Sequence, residues 1–114
     1  MLRRRNRRHY LKLKEQARAL CVSRVGFFNT FYGFKVGKIF IKNTKSRWGS
    51  CSERGNLNFN YKIVLLPSAV ADYLIVHELC HLAEFNHGRA FWALVAQACP
   101  NYRQARRALR ELEG

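Results

Sequence analysis

The first thirty residues carry one apolar stripe on an otherwise basic segment. From about Arg4 to Arg24 there is no glycine or proline, and apolar residues recur at helical spacing (Tyr10, Leu13, Ala17, Leu20 and Cys21). Residues three and four apart share one face of an α-helix, so this stripe predicts an amphipathic helix that packs on the domain. Gly26 is its predicted end, because glycine is common just after the last helical residue. Residues 27–33 then form an aromatic-rich connection.

The middle of the chain changes to the pattern of strands. Residues 34–43 are rich in Val, Ile and Phe and predict a strand that is partly buried on both faces. Residues 56–61 alternate asparagine with Leu57, Phe59 and Tyr61, which is typical of a half-buried strand. Arg54-Gly55 supplies turn chemistry just before it. The pattern therefore predicts a small antiparallel sheet with a hairpin around Arg54 and Gly55.

The second half of the chain returns to helical periodicity. A helix is predicted to begin at Leu66-Pro67-Ser68, with Ser68 as its N-cap. Apolar residues from Val70 to Cys80 cover most of its circumference, which indicates a central, buried helix. Two more amphipathic helices are predicted, over residues 91–98 and 102–112. The predicted fold is α+β, with an N-terminal helix, a small antiparallel sheet, a central helix and C-terminal helices in one domain, residues 1–114.

The central helix carries the sequence His77-Glu78-Leu79-Cys80-His81, and His87 follows shortly afterwards. Residues four apart project from the same side of a helix, so His77 and His81 can bind one metal ion. Glu78 then flanks the ion, where a carboxylate can take a proton from bound water. Burying these polar side chains without a cation would be costly, and this favours a metal site over a chance motif.

Two residues compete for the third ligand position. On a continued helix Glu84 would face the same side as His77, so periodicity alone does not separate it from His87. Three ligands in a line along one helix, however, fit a tetrahedron poorly. If the chain turns after Glu84, with Asn86 in the left-handed conformation, His87 can approach the ion from another side. We therefore predict one Zn²⁺ ion on His77, His81 and His87, with a fourth position open for water.

The chain is strongly basic for its size. Its 114 residues include 21 Lys and Arg against 7 Asp and Glu, a formal charge of +14 that favours association with polyanions such as nucleic acid. Candidates for phosphate contacts are five arginines near the start of the chain (Arg3, Arg4, Arg5, Arg7 and Arg8). The sequence has no signal-peptide pattern, no membrane-spanning run and no paired cysteine motif. We therefore expect a cytoplasmic protein with reduced thiols and no membrane contact.

Four motifs, in order, resemble those of a known family. They are Arg47-Trp48-Gly49-Ser50-Cys51, the asparagine-rich residues 55–60, residues 72–81 around the two histidines, and Asn86-His87 followed by Phe91-Trp92. With them the chain resembles the YgjP-like metallopeptidase domain, a predicted metal-dependent hydrolase family related to the SprT-like and WLM metalloproteases. The resemblance implies a minimal zincin-like fold, a polypeptide substrate, Glu78 as catalytic carboxylate and three metal ligands (His77, His81 and His87).

The residues also permit a hydrolytic mechanism. Zinc on three neutral imidazoles lowers the pKa of its bound water to roughly 7. Glu78 would take the water's proton and pass it to the leaving amine. An extended peptide could pair with residues 57–61 or 47–51 by strand addition. The candidates for oxyanion stabilisation or for the substrate cleft are Arg47, Asn60, Tyr61 and Tyr102.

The competing prediction is a zinc-containing nucleic-acid-binding module, with a structural metal and the basic helix as its working surface. The charge supports this alternative, whereas an open metal site with a neighbouring carboxylate is more than a structural role needs. A combined prediction, a protease that acts on DNA-associated protein, follows from the relationship to SprT-like proteins. The oligomeric state stays open.

Overall fold

A computed structural model describes residues 6–113 and shows an α+β fold, which confirms the predicted fold class. None of the helices within the described residues is long and apolar enough to span a membrane. The elements in chain order are α1 (Arg7–Tyr32), β1 (Ile39–Lys42), β2 (Gly49–Cys51), β3 (Leu57–Asn60), a short 3₁₀ helix (Tyr61–Leu65), α2 (Ser68–Cys80), α3 (Arg89–Ala98) and α4 (Tyr102–Glu113).

Helix α1 is longer than the sequence pattern predicted. It begins after Asn6, whose side chain caps the first turn, and it runs through Gly26 until Gly33 ends it in the left-handed conformation, with φ 70°. The predicted end at Gly26 is wrong. Val25 and Phe28 on either side of this glycine are buried, and their burial outweighs the cost of about 1 kcal/mol for a glycine inside a helix. The predicted aromatic connection is therefore the last turn and a half of α1.

The three strands lie in the order β1-β3-β2. Strands β2 and β3 form the predicted antiparallel hairpin, with Gly49 opposite Phe59 and Cys51 opposite Leu57. Strand β1, however, runs parallel to β3, so the sheet is mixed and not wholly antiparallel. The chain reverses direction twice between β1 and β3, and β3 then lies between the two earlier strands, which makes it parallel to the first.

The two faces of the sheet differ in character. The inner face packs into the core and carries buried side chains (Ile41, Leu57 and Phe59). The outer face carries residues at the alternate positions, most of them polar (Phe40, Lys42, Ser50, Asn58 and Asn60). As predicted, the apolar residues of β3 lie on the inner face of the sheet and its asparagines on the opposite face.

Helix α2 crosses the core and is buried over most of its length. It begins one residue earlier than predicted, because Pro67 and not Ser68 occupies the N-cap position and Ser68 is the first helical residue. The Pro67 carbonyl accepts the first helical hydrogen bonds, and the fixed φ of proline suits a helix start. Arg24 of α1 donates two hydrogen bonds to Asp72 of α2, at 2.9 and 3.0 Å, and so ties the two helices together.

The chain leaves the axis of α2 earlier than predicted. Helix α2 ends at Cys80, and the next three amides form tight hydrogen bonds to carbonyls three residues back, at 3.1–3.2 Å. The prediction that Asn86 adopts the left-handed conformation is wrong, since no non-glycine residue in the described chain has a positive φ. The turns over residues 81–83 already redirect the backbone before Glu84 is reached.

Candidate metal centre

Three histidines are brought together at the C-terminal end of α2. His77 lies in the last turn of the helix and His81 is its C-cap residue. His87 lies in the loop between α2 and α3 and comes back over the helix end. The ligand-capable ring nitrogens of the three residues all lie within 4.8 Å of one another. The structure therefore places the predicted trio in one cluster.

The Nε2 atoms converge on a single point. His87 Nε2 lies 2.9 Å from His81 Nε2 and 3.2 Å from His77 Nε2. A tetrahedral zinc ion with Zn–N bonds near 2.05 Å separates its nitrogen ligands by about 3.3 Å. The spacing of the three nitrogens therefore fits such an ion.

The electrostatics of these rings suit a cation. The pKa of His77 is lowered to about 3, mainly by burial and then by the neighbouring His81 and His87. Burial also lowers the pKa of His81. Since His81 Nδ1 donates to the Glu84 carbonyl at 2.9 Å, the neutral His81 ring carries its lone pair on Nε2. Lone pairs aimed at one point repel each other unless a cation lies between them, so the donor set fits zinc.

Each imidazole of α2 is oriented by a second hydrogen bond. Tyr73, one turn before His77, places its hydroxyl 3.1 Å from His77 Nδ1. The Glu84 carbonyl does the same for His81. These contacts leave both Nε2 atoms facing the centre, an arrangement that is common around metal-binding histidines.

Aromatic rings hold the remaining sides of the cluster. Phe91 of α3 stacks on His81, with ring centroids 4.4 Å apart, and Trp92 stacks on His87 at 5.9 Å. Tyr102 of α4 stacks on Trp92 in turn, with ring centroids 5.0 Å apart, and the Arg106 guanidinium lies 4.9 Å from the Trp92 ring centre. Helices α3 and α4 thus support His87 through Trp92.

Glu78 follows His77 in α2 but is not one of the three residues of the cluster. Its side chain is buried, and burial raises the pKa of its carboxyl to about 8, against the opposing effect of Arg47. A Cβ atom added to Gly49 of β2 would lie only 3.1 Å from Glu78 Oε2. Strand β2 therefore passes directly beside this carboxylate, and a side chain at position 49 would crowd it.

The competing ligand Glu84 takes part through its backbone only. Its carbonyl orients His81, and its carboxylate is not among the metal-capable groups that cluster within the described residues. Because the chain leaves the helix axis before Glu84, this side chain does not continue the line of His77 and His81.

The other candidate residues lie in three different places. Arg47 is exposed beside β2 and is close enough to affect the Glu78 carboxyl. Asn60 is buried, and its amide donates to the Thr44 carbonyl at 2.7 Å. The Tyr61 hydroxyl is bonded to His9 of α1 at 2.9 Å, while Tyr102 packs on Trp92. Of these four, Arg47 is the exposed residue that acts on Glu78, and Tyr102 is the one that contacts the ring stacked on His87.

The candidate phosphate contacts are only partly visible. Arg7 and Arg8 are exposed in the first turn of α1. Arg3, Arg4 and Arg5 lie outside the described residues. Nucleic-acid binding and cytoplasmic location therefore stay predictions.

Sequence reasoning missed Gly49, Tyr73 and the full role of Trp92. Tyr73 precedes His77 by four residues, so helical spacing alone could have indicated it. The link of Trp92 to α4 depends on tertiary structure, so the sequence pattern does not indicate it. No local signal ties Gly49 to Glu78, because the two meet only when the sheet packs on α2.

Comparison with known proteins agrees with this architecture. The structure resembles the crystal structure of the metallopeptidase zymogen of Pyrococcus abyssi abylysin, with a TM-score of 0.72 and 20% sequence identity. The likeness covers 82% of this chain and 95% of that one, and at this identity it shows a shared fold. No curated protein matches the sequence. The family model of the YgjP-like metallopeptidase domain matches residues 3–112. The chain therefore belongs to the YgjP-like metallopeptidase domain family.

Proposed function

We propose that this protein is a zinc-dependent peptidase whose metal ligands are His77, His81 and His87. The observation that carries the proposal is the approach of His87 Nε2 to the other two Nε2 atoms, at 2.9 and 3.2 Å, with the buried Glu78 next to His77 in the same helix. Zinc held by three neutral imidazoles supplies Lewis acidity and brings the pKa of a water ligand to near 7. Membership of a metallopeptidase family supports a polypeptide substrate.

Glu78 is the proposed general base. This buried carboxyl, whose ionised form a bound zinc ion would favour, would then accept a proton from the attacking water and donate it to the leaving amine of the cleaved peptide. Tyr73 and the Glu84 carbonyl keep the two α2 imidazoles turned toward the centre throughout. Phe91 and Trp92 cover the cluster from the side of α3 and limit the access of water there.

Strand β2 is the proposed docking edge for an extended substrate. Strand β3 is paired on both sides, so it has no free edge and the predicted pairing with residues 57–61 does not occur. On either side of β2, the Trp48 carbonyl accepts a hydrogen bond from the Asn60 backbone amide, and the Ser52 backbone amide donates to the Asn56 carbonyl. Backbone groups alternate between the two edges of a strand, so Gly49 and Cys51 turn their amide and carbonyl groups to the open edge. A peptide paired there passes beside Glu78.

The test combines metal analysis with the Glu78→Gln substitution. The wild type is expected to contain one zinc per chain and to cleave an unfolded, fluorescently labelled polypeptide, while Glu78→Gln keeps its zinc and loses activity by about 100-fold or more. A chelator should abolish cleavage and added zinc should restore it. Absence of stoichiometric zinc, or equal cleavage by the wild type and Glu78→Gln, would refute the proposal.

A further inference from the structure

The outer face of the sheet holds a cavity that the proposed chemistry does not use. Its volume is about 340 Å³, and it extends across all three strands next to the open edge of β2. We call it the outer-face cavity. The residues that give it its chemical character are Lys42, Thr44, Arg47, Ser50, Asn58 and Asn60.

The outer-face cavity is cationic. Lys42 and Arg47 are both exposed and line it, and none of its lining residues is acidic. Among the described residues the ion pairs join Arg18 to Glu15 and Arg24 to Asp72, so neither Lys42 nor Arg47 is held in one of them, although Arg47 is near enough to Glu78 to oppose the rise in its pKa. Guanidinium and ammonium groups around a concave polar surface are suited to a carboxylate.

The wall that carries Arg47 is held in a fixed position. The buried Asn60 side chain donates to the Thr44 carbonyl at 2.7 Å and accepts from the Lys62 amide at 3.0 Å. The Thr44 hydroxyl in turn donates to the Arg47 carbonyl at 3.1 Å. Asn60 is therefore a positioning residue, since it fixes the loop and leaves the Arg47 side chain as the group that can meet a ligand.

A hydroxyl donor completes the set. Ser50 Oγ accepts a hydrogen bond from the side-chain amide of Asn58 at 3.2 Å, and the Ser50 O–H is then available to donate. The cavity thus offers two cations and a neutral donor near the edge strand, and a carboxylate accepts hydrogen bonds from all three kinds of group.

The position of the cavity beside β2 indicates that a side chain of a substrate strand would reach it. Gly49 and Ser50 both line the cavity, but a Cβ atom at position 49 would point toward Glu78 on the inner side, whereas the Ser50 side chain bonds to Asn58 on the outer face. A substrate strand paired with β2 would follow the same alternation. The substrate residue opposite Gly49 would point toward Glu78, and the next residue along would point toward the cavity.

We propose that the outer-face cavity receives an aspartate or glutamate side chain of the substrate, one residue from the position held opposite Gly49. Arg47 and Lys42 are the specificity-determining residues. This inference rests on the proposed function, because it places the substrate along the same edge of β2. The net charge of +14 agrees with acidic substrates and speeds their encounter with the protein.

The experiment uses matched peptides with amidated C-termini, so that the side chain is the one source of a carboxylate. A single Glu, Gln or Lys is moved one position at a time through an otherwise uncharged sequence, and the cleavage site is mapped by mass spectrometry. We expect kcat/KM for the Glu peptide to exceed that for the Gln peptide by about five- to tenfold at one fixed distance from the cut. The advantage should be absent at the adjacent positions and should shrink as ionic strength rises.

The variants assign the preference to the cavity. Arg47→Gln should bring the Glu-to-Gln ratio close to one, and Arg47→Glu should favour the Lys peptide. Lys45→Gln is the matched control, because Lys45 is an exposed cation of the same loop that does not line the cavity, and it should keep the wild-type ratio. Equal kcat/KM for the Glu, Gln and Lys peptides would overturn the inference. A uniform loss for all peptides with an unchanged ratio in Arg47→Gln would do so as well, since it would place Arg47 in the chemical step.

A binding measurement separates this inference from the proposed function. Fluorescence anisotropy with labelled peptides is measured on zinc-loaded Glu78→Gln, which needs no turnover. Tighter binding of the Glu peptide that Arg47→Gln removes would support the cavity's role even if the wild type cleaved nothing. Equal binding of the three peptides would overturn it even if the wild type were an active peptidase.

Discussion

The proposed metal centre has two parts that are held in different ways. His77 and His81 belong to α2 and its cap, on a helix buried in the core, and each has a hydrogen bond to its second ring nitrogen. His87 lies in an exposed loop and is held against the others by stacking on Trp92. The first part is built by the fold itself, whereas the second depends on a few side-chain contacts.

This difference should appear in how much each ligand contributes to metal affinity. A ligand on a buried helix is already ordered, so nearly all of its interaction with an ion appears as binding free energy. A loop residue first loses conformational freedom, at about 1–2 kcal/mol for its backbone alone. We therefore expect the helix to set most of the metal affinity and the loop, with α3 and α4 behind it, to adjust it.

The largest expected effect comes from removing a helix ligand. His81→Gln should weaken zinc binding by about 100-fold or more, because binding free energies of about 10–16 kcal/mol in structural sites are shared among few ligands. Competition with a chromogenic zinc chelator measures this change. His9→Gln is the control, since His9 bonds to Tyr61 and lies outside the cluster, and it should bind zinc like the wild type.

The same assay on His87→Gln tests the comparison directly. Its loss of affinity should be clearly smaller than that of His81→Gln, because the wild type pays an ordering cost for the loop ligand. Equal losses of zinc affinity in the two variants would mean that the loop is as well ordered as the helix. The two parts would then not differ in how they hold their ligands.

The two parts also differ in how far sequence reasoning reaches. The four-residue spacing of His77 and His81 is a local property of a helix, so periodicity alone predicts their shared face. His87 could be argued only from the need for a tetrahedron and from a family resemblance. The structure brings it to the cluster, but by tight turns over residues 81–83 and without the predicted left-handed Asn86.

The same limit applies to the rest of the fold. Hydrophobic periodicity predicted the helices and the hairpin, yet it could not show that β3 lies between β1 and β2, because strand order depends on packing. It also placed the end of α1 at Gly26, where burial of Val25 and Phe28 overrides the weak local preference of glycine. The contact of Gly49 with Glu78, on which the proposed position of the substrate rests, joins residues distant in sequence and has no local signal.

A moderate effect is expected from removing the support of the loop. Trp92→Leu takes away the ring that stacks on His87 and on Tyr102, so His87 should be less often in place. We expect zinc affinity to fall by about tenfold, in the range seen when the groups behind a ligand are removed. Amides of residues 82–88 should also exchange hydrogen faster in zinc-loaded protein, while those of α2 stay protected.

Trp92→Phe is the matched control for this change. It retains an aromatic ring against His87 and should keep most of the affinity and the slower exchange. Wild-type affinity and exchange in Trp92→Leu would show that the loop holds its shape by its own backbone hydrogen bonds, and stacking would then have no part in placing His87.

The smallest effect is expected from the hydrogen bond behind His77. Burial raises the pKa of Tyr73 to about 12, so its hydroxyl stays protonated and bonded to His77 Nδ1 near pH 7. Tyr73→Phe removes only this bond, worth about 0.5–1.5 kcal/mol, and α2 still fixes the backbone of His77, so zinc affinity should fall by about threefold. Tyr10→Phe, at an aromatic position of α1 away from the cluster, should have no effect in the same chelator assay. The backbone of α2 is expected to be the same in Tyr73→Phe and Trp92→Leu. If Tyr73→Phe nevertheless cost more zinc affinity than Trp92→Leu, the orientation of the His77 ring, and not the helix backbone, would be what prepares this ligand.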